Sequence, residues 1–124
     1  MAYEQVPEMF EIAQNAGADL SAKVFFIAKV DTDEDIILCG AGQAALGVIR
    51  EADVQDRPVT IQFGGIAKVS AGAAFNAGVL VMSDTNGQAV LATTNNYAIG
   101  MAMQAAGGAN EIVSVRLGPY GRVA

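Results

Sequence analysis

Residues 24–52, VFFIAKVDTDEDIILCGAGQAALGVIREA, return with a shift of 53 as residues 77–105, AGVLVMSDTNGQAVLATTNNYAIGMAMQA. Residues 59–69 return with a shift of 54 as 113–123. Asp31-Thr32 falls on Asp84-Thr85, Leu38 on Leu91, Gly47 on Gly100, Val59 on Val113 and Gly64 on Gly118. The match is ordered by chemistry: apolar on apolar, glycine on glycine, and basic Lys68 on basic Arg122. A repeat of roughly fifty residues means that one supersecondary unit is used twice. Two copies fall short of the three or so that a solenoid needs. The repeat therefore predicts one closed body with internal pseudo-twofold symmetry, built from units at about 24–69 and 77–123.

Within each unit the pattern is β. Val24 to Val30 is rich in branched and aromatic residues and runs into the acidic turn Asp31–Asp35, with Ile36 to Cys39 returning as its hairpin partner. Ala45 to Ile49 reads as a third strand. Pro58 to Phe63 alternates, with Val59, Ile61 and Phe63 on one face, and Ile66 to Val69 continues it past a bend at Gly64-Gly65. The second unit repeats the plan: Val79 to Met82, a hairpin turn marked by Asn86-Gly87, Ala89 to Ala92, Ala98 to Ala102, and Glu111 to Leu117. Residues 70–78 read as a turn-rich crossing between sheets. Many short strands at close spacing predict an all-β sandwich or barrel, with residues 21–124 as the β domain.

Residues 1–20 stand apart as an N-terminal arm. Met9, Ile12, Ala13 and Ala16 recur at three-to-four spacing, which predicts a short helix over Glu8–Ala18, with Pro7 in its first turn and Gly17 at its end. So short a helix must dock on its own domain, dock on a neighbour or remain mobile; the arm is expected to reach a neighbouring subunit through Met9, Phe10 and Ile12.

Composition excludes several functions. The chain has 124 residues, one domain's worth, with five Phe, three Tyr and no Trp, so its core rests on small aliphatic side chains. The net charge of −6 opposes nucleic-acid binding, which needs Lys and Arg to neutralise phosphates. No apolar run is long enough to span a bilayer, and no secretory signal is expected at the N-terminus. There is no His, so Ser-His-Asp and Cys-His catalysis are excluded. The lone Cys39, inside an apolar run, is expected to be a small buried hydrophobe.

The remaining candidate motifs have plain readings. Asp31, Asp33 and Asp35 alternate like the start of a calcium loop, but Ile36 takes the place of the glycine and Gly42 that of the closing Glu, so a solvated hairpin tip is favoured over a metal site. Gly40-Ala41-Gly42 precedes a strand where a dinucleotide-binding turn requires a helix. Arg50, Glu51, Asp53, Asp56 and Arg57 form a mixed-charge surface, with Arg50 as a candidate partner contact. Lys68 and Arg122 either protect strand edges or meet an acidic partner. Met82, Met101 and Met103 are favoured as core filling over an adaptable interface.

The order of elements carries a resemblance. Gly64-Gly65-Ile66-Ala67-Lys68-Val69-Ser70-Ala71-Gly72-Ala73 leads through Gly78-Val79-Leu80-Val81 to Ser83-Asp84, then to Ala98-Ile99-Gly100-Met101-Ala102 and Ile112-Val113-Ser114-Val115-Arg116-Leu117. Upstream lie Ala18-Asp19-Leu20-Ser21 and Ala45-Leu46-Gly47-Val48-Ile49. Over roughly residues 16–117 this resembles the capsid decoration, or cement, proteins of tailed bacteriophages and prophages; Met1–Asn15 matches least. The resemblance implies a non-enzymatic β body without cofactor. It would be made in the host cytoplasm and would bind the outer surface of the assembled major capsid protein. Self-association is expected, as a homotrimer in preference to a dimer. The alternatives are a head-fibre base or tail component, and a small-ligand-binding β-barrel module.

Overall fold

Short runs of branched apolar residues, cut by Gly, Asp and Asn turns, form ten strands in the computed structural model, which describes residue 2, residues 10–118 and residues 120–123. They are β1 (Glu11–Asn15), β2 (Ile27–Val30), β3 (Ile36–Leu38), β4 (Gly47–Glu51), β5 (Pro58–Gln62), β6 (Ile66–Ser70), β7 (Leu80–Ser83), β8 (Ala89–Leu91), β9 (Gly100–Ala102) and β10 (Ile112–Leu117). The first five make one sheet in the order β1-β5-β4-β2-β3, and the last five make another in the order β6-β10-β9-β7-β8. Every strand pair is antiparallel.

The two orders are the same topology used twice. Each sheet also curls until its outer strands meet: Ala16, just past β1, bridges Ile36 of β3 in parallel, and Ala71, just past β6, bridges Ala89 of β8. The amide of Gly17 donates to the Ile36 carbonyl and that of Gly72 to the Ala89 carbonyl, both at 2.7 Å. Each half is thus a small, partly closed five-stranded barrel, which leaves little free edge for unwanted pairing.

Four expectations change. The helix over Glu8–Ala18 is replaced, among the described residues, by strand β1, which pairs along its length with β5. Small residues such as Ala13 and Ala16 fit a helical period and a strand equally well, and pairing with a waiting edge decides between them. The arm is therefore part of the chain's own first sheet from residue 11 onward. Next, β6 does not continue β5 past the glycine bend. It leaves for the second sheet and opens the second unit, so the topological repeat is 11–62 and 66–117. The crossing between sheets is therefore the short stretch 63–65, and residues 70–78 connect β6 to β7 within one sheet. Finally, Lys68 is not the counterpart of Arg122. Lys68 faces Ser114 and Ala13 faces Thr60 at matching register positions, whereas Arg122 bridges Tyr97 outside the named strands.

Packing explains why the halves share a fold with so few identities. The first barrel encloses Ala16, Leu20, Ala28, Ile36, Ile49, Val59 and Ile61. The same positions of the second barrel hold Ala71, Phe75, Val81, Ala89, Ala102, Val113 and Val115. Ile36 and Ile49 become alanines, while Ala28 becomes Val and Leu20 becomes Phe, so lost volume is offset nearby. The turns correspond in backbone as well: Phe25 and Gly78, Glu34 and Gly87, Gly42 and Asn95, and Asp56 and Asn110 all have positive φ.

The barrels are joined by an apolar and hydrogen-bonded contact. Ile27, Cys39 and Val48 of the first barrel are buried in the second barrel's cluster, which bears out the expectation for Cys39. Burial pushes the Cys39 thiol above its ordinary pKa. The Ile27 amide donates to the Gly87 carbonyl at 2.7 Å, the Gly42 amide to the Ser83 carbonyl at 2.9 Å, and the Ser70 amide to the Phe25 carbonyl at 2.9 Å. The Ser83 hydroxyl donates to the Cys39 carbonyl at 3.2 Å.

Candidate functional site

The apolar surface gathers where the crossing from β5 to β6 leaves Phe63 outside the core. Phe63 is 38% exposed, and the Phe10 ring meets it edge-on with centroids 5.8 Å apart. The Phe63 amide donates to the Phe10 carbonyl at 2.9 Å, and the Phe10 ring fills the space over Gly64 where a side chain would stand. Beside this pair runs a groove of about 190 Å³, lined by Leu46 and Phe63 of the first unit and by Tyr97, Ile99 and Leu117 of the second. Leu46 corresponds to Ile99 and Phe63 to Leu117, so the two units supply matching walls. Tyr97 is 37% exposed and carries the Arg122 guanidinium 5.3 Å from its ring centroid. Aromatic and Arg side chains around an apolar depression fit a protein-binding surface.

The sequence candidates separate into two places. Phe10 and Ile12 lie at the β1 end of the first barrel, and Ile12 is 37% exposed. Met9 lies outside the described residues. Arg50 of β4 sits over the same strand: its Nη1 lies 3.1 Å from Glu11 Oε1 and 3.2 Å from Oε2, tying β4 to β1 across β5. Half-buried and ion-paired, Arg50 serves the sheet as well as the surface. Lys68 of β6 places its ammonium 6.0 Å from the Phe25 ring centroid at the contact between barrels. Phe63 and Tyr97 are not singled out by sequence; the alternation of Pro58 to Phe63 puts Phe63 on one face with Val59 and Ile61, but those two are buried while Phe63, just past the end of β5, is exposed. The methionines are corrected also. Met82 and Met101 are half-buried and Met103 is exposed, so none belongs to the core.

Among the described residues, the lining of the groove holds no acid or base other than the Tyr97 hydroxyl. Among the described residues no three His, Cys, Asp or Glu side chains are placed to hold a metal ion. At the Asp31–Asp35 turn, Asp31 Oδ1 accepts the amides of Asp33 and Asp35, both at 2.9 Å, as expected of a hairpin tip. In the matching turn, Asp84 Oδ1 accepts the amides of Asn86 and Gln88 at 2.8 and 3.0 Å. No helix among the described residues is long and apolar enough to cross a membrane.

Comparison with known proteins adds three findings. A family model described as phage cement protein matches residues 12–117. No curated protein matches the sequence. Among solved structures, the N base of head fiber gp8.5 in bacteriophage phi29 superposes with a TM-score of 0.72, covering 92% of this chain and 97% of that one. The two are 12% identical, so the likeness is one of fold.

Proposed function

Because this chain belongs to the phage cement protein family, structural proteins of the virion, we propose that it binds the outer surface of the assembled major-capsid lattice and stabilises it. The observation that carries this reading is the family match across residues 12–117, nearly the whole of both barrels. Physical features support it. A ligand that binds the assembled lattice better than free subunits shifts the equilibrium toward assembly. Two barrels locked through a buried contact hold their surfaces at a fixed spacing, and simultaneous contacts to more than one capsid subunit would multiply weak affinities. The groove beside Phe63 and Tyr97, with Phe10 packed on Phe63, is the proposed capsid contact. Phe63→Asp is expected to weaken binding to expanded empty capsids by at least roughly tenfold, a modest hot-spot effect, with circular dichroism melts checking that the variant still folds after losing its contact with the Phe10 ring. Retained affinity would place the contact elsewhere.

A second reading, a head-fibre base, is favoured by the structural likeness to the phi29 head fiber base. Labelling the protein on purified virions separates the two. Cement occupies the lattice at a regular fraction of its positions, whereas a fibre base sits under a visible projection.

A further inference from the structure

The groove shared by the two units is symmetric in its walls and asymmetric in its charge. Leu46 matches Ile99 and Phe63 matches Leu117 across it. Residues 11–62, however, carry nine Asp and Glu against four Lys and Arg, a net −5, whereas residues 66–123 carry two against three, a net +1. Two of those three cations stand at the second unit's end of the groove. The Arg122 guanidinium lies over the ring of Tyr97, which lines the groove, and Arg116 Nη1 donates to the Tyr120 hydroxyl at 3.3 Å. The Tyr120 ring in turn lies against Gly118 of the lining, 3.2 Å from where a side chain would begin.

Both arginines are exposed, and neither pairs with a carboxylate among the described residues. The acids of the second unit are engaged elsewhere. Asp84 Oδ1 caps its hairpin turn, and Glu111 Oε2 accepts the Gly107 amide at 2.8 Å. The first unit treats its arginines differently, since Arg50 lies against Glu11 and Arg57 against Asp53. Nor does the fold itself ask for a cation at Arg116. The first unit has Gln62 at that post, 1% exposed, with its amide donating to the Gly64 and Ile66 carbonyls at 2.8 and 3.1 Å.

We propose that the groove takes an apolar segment of a capsid subunit that bears a carboxylate, with Arg122 and Arg116 holding that carboxylate at the second unit's end. The proposal rests on the capsid-binding reading and adds the chemistry of the partner. Apolar side chains of the segment cover Phe63, Leu46 and Ile99. The carboxylate meets the planar fork of a guanidinium, which binds it through two parallel hydrogen bonds. Tyr97 already holds the Arg122 guanidinium by a cation–π contact, so less freedom is lost on pairing. The chain's overall charge of −6 repels an acidic surface at long range, so this attraction acts only where the arginines touch.

The test is co-sedimentation with expanded empty capsids of the cognate phage, comparing Arg122→Glu and Arg116→Glu with Lys23→Glu, a cation of the first unit outside the groove lining. All three reversals change the net charge equally, so general repulsion is common to them and only local pairing differs. Circular dichroism melts check that each variant folds, and the corresponding Gln variants replace all three if one does not. Each arginine reversal is expected to bind at least roughly tenfold more weakly than the wild type, the scale of losing an interfacial charge pair. Lys23→Glu should stay within about threefold, as for an exposed charge away from the contact. A wild type that binds, with either arginine reversal binding as well as Lys23→Glu, overturns the inference and leaves the capsid reading standing. A wild type that binds no capsid overturns both.

Discussion

Gly47 and Gly100 hold the same post in the two barrels, and the reason each is glycine is a backbone rather than a turn. A Cβ at Gly47 would lie 2.2 Å from the Gln62 carbonyl oxygen, and one at Gly100 would lie 2.2 Å from that of Arg116. Since the obstacle is main chain, Gly47→Ala and Gly100→Ala should each cost about 2 kcal/mol or more, the scale of overpacking a tight site. Urea unfolding midpoints of the two variants check this. Charge acts at a second residue. Partial burial, and then the charges of Asp31, Asp33, Asp56 and Glu34, hold the Asp35 carboxyl above the ordinary carboxylate range. The folded chain binds that proton more tightly than the unfolded chain, so Asp35 opposes folding at neutral pH. The opposition fades as pH falls through the raised value toward the ordinary one. Asp35→Asn should therefore melt higher than the wild type at pH 7, with the difference closing in acid; melts across a pH series measure it. Asp19 acts in the opposite sense. The Ser21 hydroxyl and then its amide hold the Asp19 carboxyl low, a stabilisation present at neutral pH and lost as pH falls through that lowered value.

Among the elements, β1 decides how the first barrel closes. It pairs with β5 over Glu11–Asn15 and hands on to the Ala16–Ile36 bridge, so it is a structural strand and not a detachable one. Deleting residues 1–16 should expose the first barrel's core at Ile61 and Val59 and speed amide exchange in β4 and β5. The amides of β9 and β10 should stay protected for longer. Uniform protection in both barrels after the deletion would contradict that role. The remaining strands were largely legible, because branched residues and the turns at Asp31–Asp35 and Asn86-Gly87 mark them locally. β1 was not, since its small residues fit two periods. Nor was the true start of the repeat. Ala16-Gly17-Ala18 and Ala71-Gly72-Ala73 match at a shift of 55, but three small residues are a faint signal beside the longer match at 53. The groove was illegible for a related reason: alternation puts Phe63 on one face with the buried Val59 and Ile61, but Phe63, just past the end of β5, is exposed.

The molecule as a whole is two copies of one barrel locked side by side, with an apolar, aromatic groove shared between them. Its rigidity comes from Ile27, Cys39 and Val48 buried at the junction, together with the hydrogen bonds across it. In the proposed role, such a body would hold neighbouring capsid subunits at a fixed spacing. Its net charge of −6 discourages random association. The most direct measurement heats expanded empty capsids of the cognate phage with increasing amounts of this protein, following bound copies and the disruption temperature together. Binding that saturates at a fixed ratio to the major capsid protein, with the disruption temperature rising in step, is the predicted result. Capsids that bind none of it, or that bind it and come apart at the same temperature, would contradict a cementing role.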